Sequence, residues 1–293
     1  MSIRFRTVMR KPSGGRSGRE DAGASTRRQR WEAAVQRQTR SEKRLSSAEE
    51  VHQIRVLAKR LRAYLRLFRG TIPEKILELE ERRIQRIARN LGQARDKTIC
   101  IQTLRWLAAK EKKESHREWV RAALLRLSEA GAGLDVQRIS RARSAIETRR
   151  QRLLTLIDRY SPREGKLEEA LRREYGRSRR GMREAFREES PEAFHEWRKR
   201  VKRLGYQTEC FCSSSRGRCA RLEAELIRLG RLLGKLQDLH VLKSWIQAQS
   251  LSSRSKLVRL LEKWMSWYRK EVEREGRRCF YMRKREFVSL LLN

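Results

Sequence analysis

Proline is almost missing from this chain: its 293 residues hold 4, too few for the turns of a β-sandwich or small barrel. Carboxylates are also scarce. Asp and Glu number 36 against 73 Lys and Arg, giving a formal net charge of +37. No stretch approaches the ~20 uncharged residues of a membrane span. Residues 1–10 are basic but lack the apolar run of a signal peptide. Five cysteines, an odd number in a long chain, suit a reducing compartment better than a disulfide framework. The expected location is the cytoplasm.

What the chain has instead is arginine, 56 against 17 lysines. Guanidinium grips phosphate oxygens in a bidentate fork, whereas ammonium acts as a point charge. A charge of this size also repels itself unless anions neutralise it. Both facts point to a polyanionic partner without saying which one.

Residues 1–24, with Pro12, Gly14, Gly15 and Gly18 among basic residues, read as a disordered tail. Beyond them helical periodicity runs almost to the end. Breaks fall at residues 70–73, 131–133, 161–165, 190–191, 213–217 and 250–255, where Gly, Pro and Ser cluster. The pattern predicts an all-α chain of eight or more helices, with no strands and its best boundary at 161–165.

The chain also repeats itself. Val51-His52-Gln53-Ile54-Arg55 continues to Lys59-Arg60-Leu61, and Phe194-His195-Glu196-Trp197-Arg198 continues to Lys202-Arg203-Leu204. Leu91-Gly92-Gln93-Ala94-Arg95-Asp96 pairs in the same order with Leu233-Gly234-Lys235-Leu236-Gln237-Asp238. At nearly the same offset, Arg86 and Arg89 fall on Arg228 and Arg231, and Arg30 and Arg37 on Arg173 and Arg180. Two copies of one helical unit are therefore expected, at 25–160 and 165–293.

On a helix at about 100° per residue, His52, Arg55, Lys59, Arg62, Arg66 and Arg69 share one side. Ile54, Leu57, Leu61, Tyr64, Leu65 and Phe68 share the other. The apolar stripe suits a bundle core. The basic stripe has no Asp or Glu from Val51 to Arg69, unlike an ordinary solvated face, which mixes signs. The second copy sets His195, Arg198 and Lys202 on its stripe, with Lys199, Arg203 and Tyr206 beside it. Trp197, Val201, Leu204 and Phe211 point away. Gly205 replaces Arg62. Arg86, Arg89 and Gln93 form a further stripe, matched by Arg228, Arg231 and Lys235. Asp96 and Asp238 end those stripes and are read as orienting a cation across the bundle.

A histidine among cations resists protonation until an anion arrives. Binding through His52 and His195 should therefore tighten as pH falls. His116 and His240 have no such setting and receive no role. Gly230-Arg231-Leu232-Leu233-Gly234-Lys235 resembles a phosphate loop but lacks the following Ser or Thr and lies in a helical pattern, so it is not read as one. Cys210, Cys212 and Cys219 match no common zinc spacing. Cys210 is read as core, the other two as flanking a loop. No metal site, cofactor or catalytic residue is expected. A helix over about 256–285 is expected to close the second copy.

The duplicated His-x-x-Arg-x-x-x-Lys-Arg-Leu, each followed by Leu-Gly-x-x-x-Asp, resembles the CHAD domain, the conserved histidine α-helical domain. The resemblance covers about 25–293. It implies two four-helix bundles related by an internal pseudo-twofold, with long-chain inorganic polyphosphate bound in a basic channel or groove between them. It also implies association with polyphosphate granules, where some members of that family localise. His52, Arg55, Lys59 and Arg62 would line the path from one half; His195, Arg198, Lys199, Lys202, Arg203 and Tyr206 would line it from the other. Val56, standing opposite Lys199, and Gly205 depart from the pattern. The Glu-x-Glu-x-Lys signature of the CYTH triphosphatase often joined to such domains is missing; the nearest string, Glu78-Leu79-Glu80-Glu81-Arg82, ends in Arg. The expectation is a non-enzymatic module. The competing reading is an RNA- or DNA-binding protein on the same basic surface, but such proteins interleave aromatics for stacking. Here Tyr206 is the one aromatic beside a stripe.

Overall fold

The structure is a computed structural model. It describes residues 46–91, 95–128, 136–160, 164–212, 217–249 and 254–292. Residues 1–45, with Arg30 and Arg37, therefore lie outside the described residues. So does Gln93, and the side chain of Asp96 is also not described.

Ten α-helices and no strand occur among the described residues. They are α1 (Ser47–Leu65), α2 (Glu74–Asn90), α3 (Arg95–Lys110), α4 (Glu114–Ser128), α5 (Val136–Arg159), α6 (Glu164–Glu188), α7 (Pro191–Cys212), α8 (Arg218–Gln247), α9 (Arg254–Cys279) and α10 (Lys284–Leu292). The all-α expectation holds.

Local chemistry explains the boundaries that matter. Ser46 caps α1: its hydroxyl oxygen accepts from the Glu49 N–H at 3.4 Å, and its backbone N–H donates to the Glu49 carboxylate at 2.9 Å. This is a capping box that fixes where the helix begins. The helix tightens into a 3₁₀ turn at Arg66–Phe68. It then reverses through Gly70, whose φ of +87° suits a residue without Cβ. Ser190 caps α7 by accepting from the Ala193 N–H at 3.1 Å, with Pro191 in the favoured first helical position.

The helix starts follow the sequence repeat: Ser47 and Pro191, Glu74 and Arg218, Glu114 and Arg254. One difference stands out. The second copy runs through its Leu-Gly-x-x-x-Asp in the single 30-residue helix α8. The first copy stops at Asn90 and resumes at Arg95, so α2 and α3 are two helices where one was expected. Similarly, the expected helix 256–285 ends at Cys279, and α10 follows.

Both predicted apolar faces are buried. Leu61, Tyr64, Phe68, Trp197, Val201 and Leu204 are 0% exposed. Helix α1 packs on α2, α5 and α7; α7 packs on α6 and α8; α3 and α4 pack on α8 and α9. Helices from residues 25–160 thus lie directly against helices from 165–293, and their apolar side chains join one continuous core. Polar links cross the same seam. The buried Gln207 amide donates to the Ala63 carbonyl at 2.9 Å, and Arg60 meets Glu209 at 3.1 Å. The cysteines depart from expectation: Cys212 and Cys219 form a disulfide that ties the end of α7 to the start of α8. Cys100, Cys210 and Cys279 are buried thiols.

No helix among the described residues is long and apolar enough to cross a membrane. No group of three His, Cys, Asp or Glu among them is placed to hold a metal ion.

Candidate functional site

Because α1 packs against α7, and α3 against α8, their outward faces enclose a cleft of about 780 Å³. From α1 come His52, Arg55 and Lys59; from α7, Arg198 and Lys202; from α8, Arg231 and Lys235. Six permanent cations and a histidine thus face two carboxylates, Glu49 and Asp238. Glu49 is already committed to Ser46, whose hydrogen bonds hold it below the usual carboxylate range. Among the described residues lining the cleft there is no Phe, Tyr or Trp.

The cation rows have defined supports. Arg55 Nη1 donates to the Ala88 carbonyl of α2 at 2.8 Å, which anchors one edge of its guanidinium. Arg198 is 9% exposed and lies along α8. A Cβ on Gly234 would sit 3.7 Å from its Nε, and a Cβ on Gly230 would sit 3.6 Å from Lys202 Cγ. At these two glycines, one turn apart, side chains from α7 come within ordinary contact distance of where a Cβ would stand on α8. Lys235 rests its ammonium 4.9 Å from the Trp106 ring centre, a cation–π contact.

A second, smaller groove of about 350 Å³ runs between α1 and α2, lined by Arg55, Lys59, Arg62 and Arg89. Arg55 and Lys59 line both spaces. The cleft and groove therefore adjoin at these two cations. Arg62 records the crowding there. Burial, then the neighbouring Arg66, hold its guanidinium below its usual range; Glu81 opposes this and Arg89 adds to it. Its buried Nε has no hydrogen-bond partner among the described residues.

Cleft and groove together gather His52, Arg55, Lys59, Arg62, Arg89, Arg198, Lys202, Arg231 and Lys235. Other residues from the same basic stripes are drawn to carboxylates instead. Arg66 makes a two-pronged pair with Glu81, at 3.0 and 3.2 Å. Arg203 bonds the buried Glu174 at 3.2 Å, Arg228 bonds the buried Glu275 at 3.2 Å, Arg173 approaches Glu169 at 3.6 Å, and Lys199 pairs with Glu196. Tyr206 lies beneath Arg60, 5.3 Å from its guanidinium carbon. Arg86 and Arg180 are exposed and line neither space.

His195 is half-buried, one turn before Arg198, and hydrogen-bonded to Gln237. Burial is the main cause that holds it below the ordinary histidine range, with Lys199 and Arg198 adding to it. It does not line the cleft, whereas the exposed His52 does.

Sequence spacing missed Thr98 and Gln102 of α3, which form one wall. It also missed the part played by Gly230, although two glycines four apart inside a helical pattern are a signal for close approach.

A family profile, the CHAD domain, matches residues 26–247. Searches among curated proteins and among solved structures found no significant match.

Proposed function

This chain belongs to the CHAD domain family, and we propose that it binds long-chain inorganic polyphosphate, without chemistry on the chain, along the adjoining cleft and groove. The observation that carries this reading is the sharing of Arg55 and Lys59 between the two spaces. Cations from both sequence repeats then follow one another along one track. Polyphosphate is a flexible string of phosphates without bases. It needs repeated guanidinium and ammonium contacts and no stacking surface. Successive cations one helical turn apart, about 5–6 Å, supply such contacts. A track without aromatic rings favours this ligand over single-stranded nucleic acid, whose binders stack bases. The reading extends to scaffolding at, or targeting to, polyphosphate granules.

The test is competition on the full chain. Polyphosphates of graded length should displace a labelled oligonucleotide at far lower phosphate concentration than the reverse, with affinity rising with length until the track is filled. An oligonucleotide that wins at equal phosphate would favour the nucleic-acid reading. Phosphate released from polyphosphate with magnesium present would overturn the binding-only part.

A further inference from the structure

Helix α8 carries a second cationic concavity on its other side. Arg218 and Arg221 near its start, with Arg277 and Arg278 at the end of α9, surround a pocket of about 530 Å³. Taking Gly234 as zero at about 100° per residue, the cleft residues Gly230, Arg231, Lys235 and Asp238 fall within about 100°. Arg218, Arg221 and Glu225 fall between about 140° and 200°. The two sites therefore lie on opposite faces of one helix, with Arg218 and Arg231 separated by roughly 20 Å along its axis.

The pocket has an excess of positive charge. Arg277 pairs with Glu273 at 2.7 Å, and Arg278 is 3.9 Å from Glu275, which Arg228 already engages. Arg218 and Arg221 are exposed and make no ion pair among the described residues. Among the described residues lining it, Glu225 is the one carboxylate. Burial first, then Glu275, push its carboxyl above the usual range, with Arg221 and Arg278 opposing. Guanidinium groups converging on a concave surface are the arrangement that forks onto phosphate oxygens.

We propose that the pocket of Arg218, Arg221, Arg277 and Arg278 is a second phosphate-chain site, back to back with the cleft. Taken with the polyphosphate reading of the cleft, on which this part rests, the protein is bivalent: it can hold two polyphosphate segments and cross-link separate chains. Bivalency raises the avidity for a long polymer without any new contact and gives scaffolding a physical basis.

The test uses tripolyphosphate, short enough to occupy one site, titrated calorimetrically into the full chain at physiological salt. The wild type is compared with the pocket variant Arg218→Glu/Arg221→Glu and the cleft variant Arg55→Glu/Arg198→Glu, with helicity checked by circular dichroism. Each variant should bind one tripolyphosphate fewer than wild type. Light scattering with long-chain polyphosphate should show cross-linked assemblies for wild type and lose them for the pocket variant. Unchanged stoichiometry and scattering in the pocket variant would overturn the second site. A loss in the pocket variant alone, with none in the cleft variant, would keep the second site and overturn the reading of the cleft and the bivalency built on it.

Discussion

Arg203 and Arg231 belong to the same repeat and to similar basic faces, yet they do different work. Arg203 is held by Glu174, a carboxylate 4% exposed, and Arg231 lines the cleft. Breaking a buried pair from one side leaves an uncompensated charge and costs about 3–5 kcal/mol. Glu174→Ala should therefore lower stability in urea by roughly 3 kcal/mol while the folded fraction keeps its polyphosphate affinity. Arg231→Ala should do the opposite, weakening binding with stability unchanged. The histidines divide in the same way. His240 is buried, and burial with the nearby Arg269 and Lys243 pushes it down to about 4. It stays neutral in the fold while the unfolded chain takes up its proton near pH 6.5. Stability is therefore intact above that pH and lost on acidification towards pH 4, at up to about 1.4 kcal/mol per pH unit. Denaturation series at pH 7.5 and 5 should show His240→Gln losing less stability than wild type. On the proposed function, binding should have a separate pH dependence, through His52, which lines the cleft. Tightening between pH 8 and 5.5 should vanish in His52→Gln and persist in His195→Gln. The basic faces that carry His52, Arg203 and Arg231 were legible from periodicity. Their partners were not, because Glu81, Glu174 and Glu275 come from other helices, and spacing along one helix carries no information about them.

At the scale of helices, two glycines predict opposite outcomes. A Cβ at Gly234 meets Arg198 only at ordinary contact distance, 3.7 Å, and Ala in a helix interior is favoured over Gly by about 1 kcal/mol. Gly234→Ala should raise the melting temperature and keep binding, whereas Gly234→Leu should displace the guanidinium and weaken it. At Gly276 the same Cβ would stand 2.9 Å from Met182 Sδ and 3.0 Å from Trp197 Cη2. Gly276→Ala should destabilise; melts of the three variants check the stability statements, and a polyphosphate titration of the two Gly234 variants checks the binding ones. The Cys212–Cys219 bond closes a short loop across a sequence separation of 7, so reducing it should cost about 2–3 kcal/mol on chain entropy. Five cysteines, an odd number, were read as suiting a reducing compartment better than a disulfide framework. Parity ignores that the repeat brings the end of α7 and the start of α8 together, with the two Cα atoms 5.3 Å apart. The break between α2 and α3 was equally hidden, because Leu91-Gly92 and Leu233-Gly234 read alike. Asn90, where the second copy has Leu232, is the local difference: Asn is a weaker helix former than Leu.

For the whole molecule, helical periodicity was enough to expect an all-α fold, and the duplicated basic stripes to expect rows of cations turned outward. They did not show that helices of the two copies interlock in a single core, nor that α8 carries cations on two faces. Six cleft cations imply a steep response to salt. If each neutralises one phosphate, log affinity should fall against log salt with a slope of roughly −4 on the single-strand scale, and Arg231→Ala should make it shallower. The central claim is that α1 and α7, one from each repeat, contribute cations to one shared track. Its most direct test is the affinity of long-chain polyphosphate for Arg55→Glu and Arg198→Glu, each alone, at fixed salt and with helicity confirmed. The account predicts at least a tenfold loss in both. Wild-type affinity in either one would contradict it.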